Sequence, residues 1–206
     1  MSIDTIRNGL INDLRRLGYE YKDLEEIYKS KSLDSGVVLT IIKWLPDLYQ
    51  GHIGTGDYMV RSLIGASEPF DPSPLIILFE GNGLNRSLKW SIAYVIAIAN
   101  TNDISDWLLD QLLSKEATFE RAGLIWGLRK KGSFVNDTEL KSFVELIFDK
   151  YPLDSLEIIY ESIGTSDDMD FLLEKMHNGD KKLKKDIERS LKKILKKEKK
   201  AQSSKR

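Results

Sequence analysis

The stretch Leu88-Lys89-Trp90-Ser91-Ile92-Ala93-Tyr94-Val95-Ile96-Ala97-Ile98-Ala99-Asn100-Thr101-Asn102-Asp103 decides the fold. Lys89 is its only charge before the terminal Asp103, and apolar residues fall on almost every side of a helical projection. A helix that is apolar all round has to be buried over most of its surface. Ala93, Ala97 and Ala99 are small enough to let neighbouring helices approach closely. The stretch therefore predicts the central inner helix of a stack of helix pairs.

Working outward, apolar helices alternate with turns rich in Gly, Pro, Asn and Asp. First helices are expected near 37–49, 73–80, 104–114, 138–150 and 168–177, and second helices near 57–66, 85–99, 118–131, 153–163 and 181–197. Leu63, Ile96, Leu128, Ile163 and Leu191 mark equivalent places in the second helices, and Ile42, Leu75, Trp107, Phe143 and Phe171 in the first. The spacings of the two series drift together, as expected of helical pairs at a period of roughly 30 to 40 residues. Val37-Val38-Leu39-Thr40-Ile41-Ile42 has strand-like composition but continues to Trp44, Leu45 and Leu48 at helical spacing, so it reads as helix. Pro46 lies inside that helix and removes one backbone donor. Ahead of the repeats, Ile3, Ile6, Leu10, Leu14 and Leu17 form an amphipathic stripe closed by Gly18, and a shorter helix follows through Leu24, Ile27 and Tyr28.

The expected fold is an all-α, right-handed α-solenoid of about five pairs. It forms a single domain over 1–197, with 1–33 an N-terminal cap, 34–197 the repeats and 198–206 a disordered basic tail. No apolar run reaches the roughly 20 residues that span a bilayer, and no signal-peptide pattern opens the chain. Cysteine is absent, which excludes disulfides, thiol catalysis and Cys-based zinc sites. A cytoplasmic monomer with no membrane association is the expectation. The net charge of −1 conceals an asymmetry. Residues 181–206 hold 13 Lys/Arg against 3 Asp/Glu, and the remainder 18 against 29.

Leu88-Lys89-Trp90-Ser91-Ile92-Ala93 and Arg121-Ala122-Gly123-Leu124-Ile125-Trp126 read basic-x-small-apolar, with Asn102-Asp103, Asn136-Asp137 and Asp167-Asp168 in the turns. This pattern resembles HEAT-repeat proteins, and is closest to small bacterial members without an assigned activity. Leu17-Gly18-Tyr19-Glu20-Tyr21 and Lys43-Trp44-Leu45-Pro46 look like features of that group. The resemblance covers about residues 17–197. It departs at repeat four, where Leu156 replaces the basic residue, and at the shortened repeat five. It implies pairing of Lys89 and Arg121 with turn aspartates, and second helices lining the inner face.

Candidate chemistry is sparse. Gly51-His52-Ile53-Gly54-Thr55-Gly56 lacks the preceding strand of a dinucleotide fingerprint and the Gly-Lys-Ser/Thr of a P-loop, so it reads as a flexible inter-helix loop. His52 and His177 stand far apart, without the i, i+4 partner of a helical metal site, and read as exposed loop or helix-end residues. Asp167-Asp168-Met169-Asp170 lacks the pattern of a calcium loop and suits helix capping. Trp90 and Trp126 read first as core packing. No cofactor is expected. In the C-terminal helix Leu183, Ile187, Leu191 and Leu195 form a narrow stripe amid lysines, as befits a terminal cap.

Two functions follow. The first is a non-enzymatic scaffold binding a partner protein through its concave face, by Arg61, Arg86, Lys89, Trp90, Arg121, Trp126 and Lys130; an immunity or regulatory protein is one form of it. The alternative is a nucleic-acid-binding solenoid resembling HEAT-like alkylpurine DNA glycosylases. Arg61, Arg86, Lys89, Arg121, Arg129, Lys130 and Lys131 supply its basic groove, which Asp154, Glu157 and Glu161 interrupt in repeat four.

Overall fold

The computed structural model describes residues 2–203, the side chain of Gln202 aside. The described chain is helical throughout, with no strand. No described helix is long and apolar enough to cross a membrane. The chain groups into two compact units. Unit 1 holds residues up to Gln111 with Thr118–Gly132, and unit 2 holds Leu112–Ala117 with residues from Ser133 onward.

Unit 1 begins with α1 (Ile3–Arg16), N-capped by the Ser2 side chain. It ends in a Schellman turn: Gly18, at φ +90°, donates to Arg15 O, and Tyr19 N donates to Leu14 O. That φ is why glycine stands there. Short α2 (Leu24–Lys29) leads to α3 (Ser35–Gly51), which continues through Pro46 and buries Val37, Val38, Ile41, Ile42, Leu45 and Leu48. Next come α4 (Ile53–Ser62), α5 (Ser73–Glu80), α6 (Arg86–Ile98) and α7 (Ser105–Leu113). The segment 119–131 is broken into α8 (Phe119–Ala122), a 3-10 stretch (Gly123–Gly127) and α9 (Leu128–Lys131).

Within unit 1, α3 packs on α4 and α5 on α6, and α6 lies between α4 and the segment 119–131. Leu88, Ile92, Ala93, Val95, Ile96, Ala97 and Ala99 are all buried. A Cβ added at Gly123 would lie 2.9 Å from Trp90 O, and one at Gly127 would lie 2.7 Å from Ala97 O. The two backbones touch through glycine on one side and alanine on the other. The turns are also stitched. Leu33 N donates to Gly65 O and Ser67 N to Leu33 O, while Phe70 N donates to Asn100 O and Asn102 N to Phe70 O. These bonds form two isolated parallel bridges, Leu33 to Ala66 and Phe70 to Thr101, between residues 33 and 31 apart.

Unit 2 contains α10 (Asp137–Ile147), then α11 (Pro152–Asp154), a π-helical stretch (Ser155–Tyr160) and α12 (Glu161–Ile163). It closes with α13 (Met169–Asn178) and α14 (Lys181–Ser203). Phe148, Tyr160 and Phe171 form an aromatic cluster, Phe148 and Phe171 meeting edge to face at 5.3 Å.

Several expectations need correction. Gly51–Gly56 is no flexible loop: His52 alone separates α3 from α4, and its Nδ1 accepts from Thr55 N at 3.2 Å as an N-cap. Its glycines serve packing, since a Cβ on Gly51 would meet Ile6, and one on Gly56 the Tyr49 ring, each at 2.4 Å. Trp107, Phe143 and Phe171 are half-buried, while the next residues Leu108, Val144 and Leu172 are fully buried, so those first-helix anchors slip by one. In α14 the stripe turns from Leu195, 36 % exposed, to Ile194, fully buried. Steps of four drift about 40° each on a 3.6-residue helix, and a step of three restores the face. The helix runs past Lys197 to Ser203, because Lys, Glu, Ala and Gln all favour helix. Of the expected disordered tail, 198–203 is helical and 204–206 lie outside the described residues.

Candidate functional site

The exposed face of α4, α6 and the segment 119–131 in unit 1 carries the densest chemistry. Asn85 accepts from Leu88 N and starts α6, which places Trp90 and Tyr94 one turn apart on the same side. Their rings stack at 5.3 Å. Because Gly123 and Gly127 let the next segment lie close, Phe119 stacks at 6.3 Å from Trp90, and Trp126 meets Tyr94 edge-on at 5.5 Å. Phe119, Trp90, Tyr94 and Trp126 thus form one row. Its ends are open to solvent, Phe119 being 54 % and Trp126 43 % exposed, which overturns core packing for Trp126. Trp90 is half-buried. The 3-10 winding of Gly123–Gly127 presents Trp126 outward while Leu124 and Ile125 take the buried positions.

Two arginines flank the row. Arg61 donates Nε to Asp57 at 3.0 Å and a terminal nitrogen to Ser91 Oγ at 2.7 Å, which holds its guanidinium 5.8 Å from the Trp90 ring. Arg86 donates to Glu120 at 3.1 Å and lies 5.9 Å from Phe119. Burial raises the Glu120 pKa, but its own backbone amide, Arg86 and Lys89 outweigh burial and hold the carboxyl below its ordinary value. Ile53, Gly54, Asp57, Arg61, Trp90 and Phe119 line much of a 330 Å³ groove beside the row. Ile53, 52 % exposed, adds aliphatic surface at its edge.

Of the seven residues nominated from sequence, Arg61, Arg86, Trp90 and Trp126 come together here. Lys89 is half-buried and acts on Glu120 through its charge. Arg121 donates to Gln111 at 3.1 Å and to the Thr118 hydroxyl. Lys130 is exposed on α9. The contacts around the turns involve other bases. Lys131 donates to Ile96 O at 2.9 Å and to the Thr101 hydroxyl, and Lys141 to Asp168 at 2.7 Å. Asp103 itself caps α7 by accepting from Ser105 N at 2.9 Å. Asp168 also accepts from Thr165 N in a capping box, so the acidic run Asp167–Asp170 serves a helix start.

Sequence reasoning missed Tyr94, Phe119, Asp57 and Glu120. The i, i+4 spacing of Trp90 and Tyr94, and of Asp57 and Arg61, was a readable signal; the pairing of Arg86 with Glu120 joins residues 34 apart and was not. His52 and His177 are both exposed, His52 as a cap and His177 on α13. Comparison with family models, curated proteins and solved structures yields no match.

Proposed function

We propose that the chain is a HEAT-like α-solenoid scaffold, right-handed, monomeric, cytoplasmic and non-enzymatic, that binds a partner protein through the exposed face of its second helices. The observation that carries this reading is the row Phe119, Trp90, Tyr94 and Trp126, open to solvent at both ends, beside the groove. Protein interfaces concentrate their binding energy in Trp, Tyr and Arg side chains set in a local apolar surface. The regular pairing of α3 with α4 and α5 with α6, and the stitched turns, support the repeat architecture. An immunity or regulatory protein is one form such a scaffold takes. Stacked aromatics also suit nucleic-acid bases. Here, however, Arg61 and Arg86, the two cations that flank the row, are matched by Asp57 and Glu120 and are not left free for a phosphate backbone.

Affinity capture with the intact chain and a Phe119→Ser/Trp126→Ser variant tests the reading. Both positions are exposed, so the variant should keep its circular dichroism and melting. A partner protein retained by the intact chain and lost by the variant is the expected result. Nucleic acid in place of protein, lost on the same variant, would replace the reading with the glycosylase-like alternative. A capture profile unchanged by the variant would remove the aromatic face from function.

A further inference from the structure

The outer side of α14, in unit 2, is a second surface with a different chemistry. Its inner side is spent on packing: Ile187, Ser190, Leu191 and Ile194 are buried where α14 meets α13 and the segment 152–163. At 100° per residue, Lys181, Lys182, Lys185, Arg189, Lys192, Lys196, Lys199 and Lys200 fall on the opposite arc, and all are exposed. The three acids of the helix lie off that arc. Asp186 pairs with Arg189, and Glu198 accepts from Ser166 N. The cations on one flank are tied down as well, Lys193 to Glu161 at 2.6 Å and Lys197 to Ser162 O at 2.8 Å. Lys182, Lys185, Lys192 and Lys196 project into solvent, with exposed Glu188, one turn from Lys185 and Lys192, at the edge of the arc.

This arrangement works against the helix that carries it. Like charges at i, i+4, such as Lys181 with Lys185 and Lys192 with Lys196, are destabilising. The first turn of α14 carries lysines, opposite in sign to what the helix dipole favours, and the one carboxylate at this end is the cap Asp180, which accepts from Leu183 N at 2.7 Å. A terminal cap needs only a polar outer face, and mixed charge would serve. We propose that the outer arc of α14 binds the phosphodiester backbone of double-stranded nucleic acid, without sequence preference. From residue 181 to 200 the row is about 28 Å long, which matches roughly sixteen phosphate charges of a duplex at 1.7 Å of axis each. Lysine is a strongly hydrated point charge suited to such contacts. A membrane surface fits less well, because the apolar stripe that would enter lipid is covered by unit 2. An acidic protein partner fits less well too, since no aromatic residue lies along residues 181–203 to anchor it.

The test is fluorescence anisotropy of a mixed-sequence duplex with the full chain, titrated at about 50 and 200 mM salt. Two charge-matched triple variants accompany it: Lys185→Glu/Lys192→Glu/Lys196→Glu on the arc, and Arg7→Glu/Arg15→Glu/Lys31→Glu in unit 1. Circular dichroism and melting verify that each folds. The expected result is salt-sensitive duplex binding whose log–log slope falls by about 2.7 in the arc variant, roughly 0.9 per lost contact, with the unit 1 variant unchanged. Loss of duplex binding in both variants would mean that net charge, rather than the arc, is responsible, and would overturn the proposal. So would absence of duplex binding at low salt, or tighter binding to polyglutamate or to anionic vesicles. A partner captured on the aromatic face leaves this outcome unaffected, so the two surfaces are tested separately.

Discussion

α6 and α14 are both regular helices, yet they meet their surroundings in opposite ways. α6 is buried on all sides but the one that carries Trp90 and Tyr94; it holds Ala93 and Ala97 where another backbone lies against it, and that neighbour answers with Gly123 and Gly127. α14 is buried along one stripe, and the rest of its circumference is charge. The contrast shows how a helix's surroundings are written into its residues. An interior helix is constrained in volume, residue by residue, whereas a terminal helix is constrained only along the line where it docks and leaves its outer face available for other use.

The comparison breaks most visibly in α6. Ile96→Ala, at a fully buried site, should lower stability by about 2–5 kcal/mol in denaturant melts. A loss below about 1 kcal/mol, the level of ordinary surface substitutions, would mean that α6 is not the volume-constrained helix described. Gly127→Ala adds a single carbon 2.7 Å from Ala97 O, and overpacking of this kind typically costs about 1–3 kcal/mol. Ordinarily Gly→Ala stabilises a helix, so the sign of this change alone tests the close approach.

Lys131 gives a pH signature beside the same helix. Burial, and next the neighbouring Lys130, lower its pKa to about 8, with Asp103 opposing. The unfolded chain keeps the ordinary 10.5, so it binds more protons than the folded one between those values. Folded stability should therefore rise as pH climbs from about 8 toward 10.5, and Lys131→Met should flatten that rise. Melting curves of the two proteins across this range decide it; identical pH profiles would place Lys131 in solvent. Smallest of all, Leu195→Ala in α14 should cost under about 1 kcal/mol, because that side chain is 36 % exposed and Ile194 holds the buried position. A loss as large as that of Ile96→Ala would return the docking line to Leu195.

Helix positions were legible because they depend on local periodicity and end signals. Ser73–Glu80 coincides with its expected bounds, and Asn85, Gly18 and Thr118 mark helix ends by side-chain or backbone chemistry that is local in sequence. Single anchors slipped where aromatic and aliphatic residues adjoin: Trp107 beside Leu108 and Phe143 beside Val144 offer two apolar phases, and only the neighbouring helices select one. The candidate face was legible in part. Trp90, Trp126, Arg61 and Arg86 could be nominated as residue types in second helices, but burial of Trp126 was the wrong expectation because a 3-10 stretch changes the face that each residue presents.

From the sequence alone came an all-helical chain, the alternation of its helices, the burial of 88–99 and the segregation of positive charge into the last helix. Each depends on composition and on spacings of three and four residues. Tertiary structure alone decided that Gly51–Gly56 joins two helices through one residue, that Arg61 and Arg86 are matched by Asp57 and Glu120, and that Phe119, Trp90, Tyr94 and Trp126 form one row. The physical reason is range. Hydrophobic periodicity acts within a turn or two of helix, whereas the row and the Arg86–Glu120 pair, 34 residues apart, join groups on different helices, whose approach depends on the glycine–alanine seam that brings two backbones together.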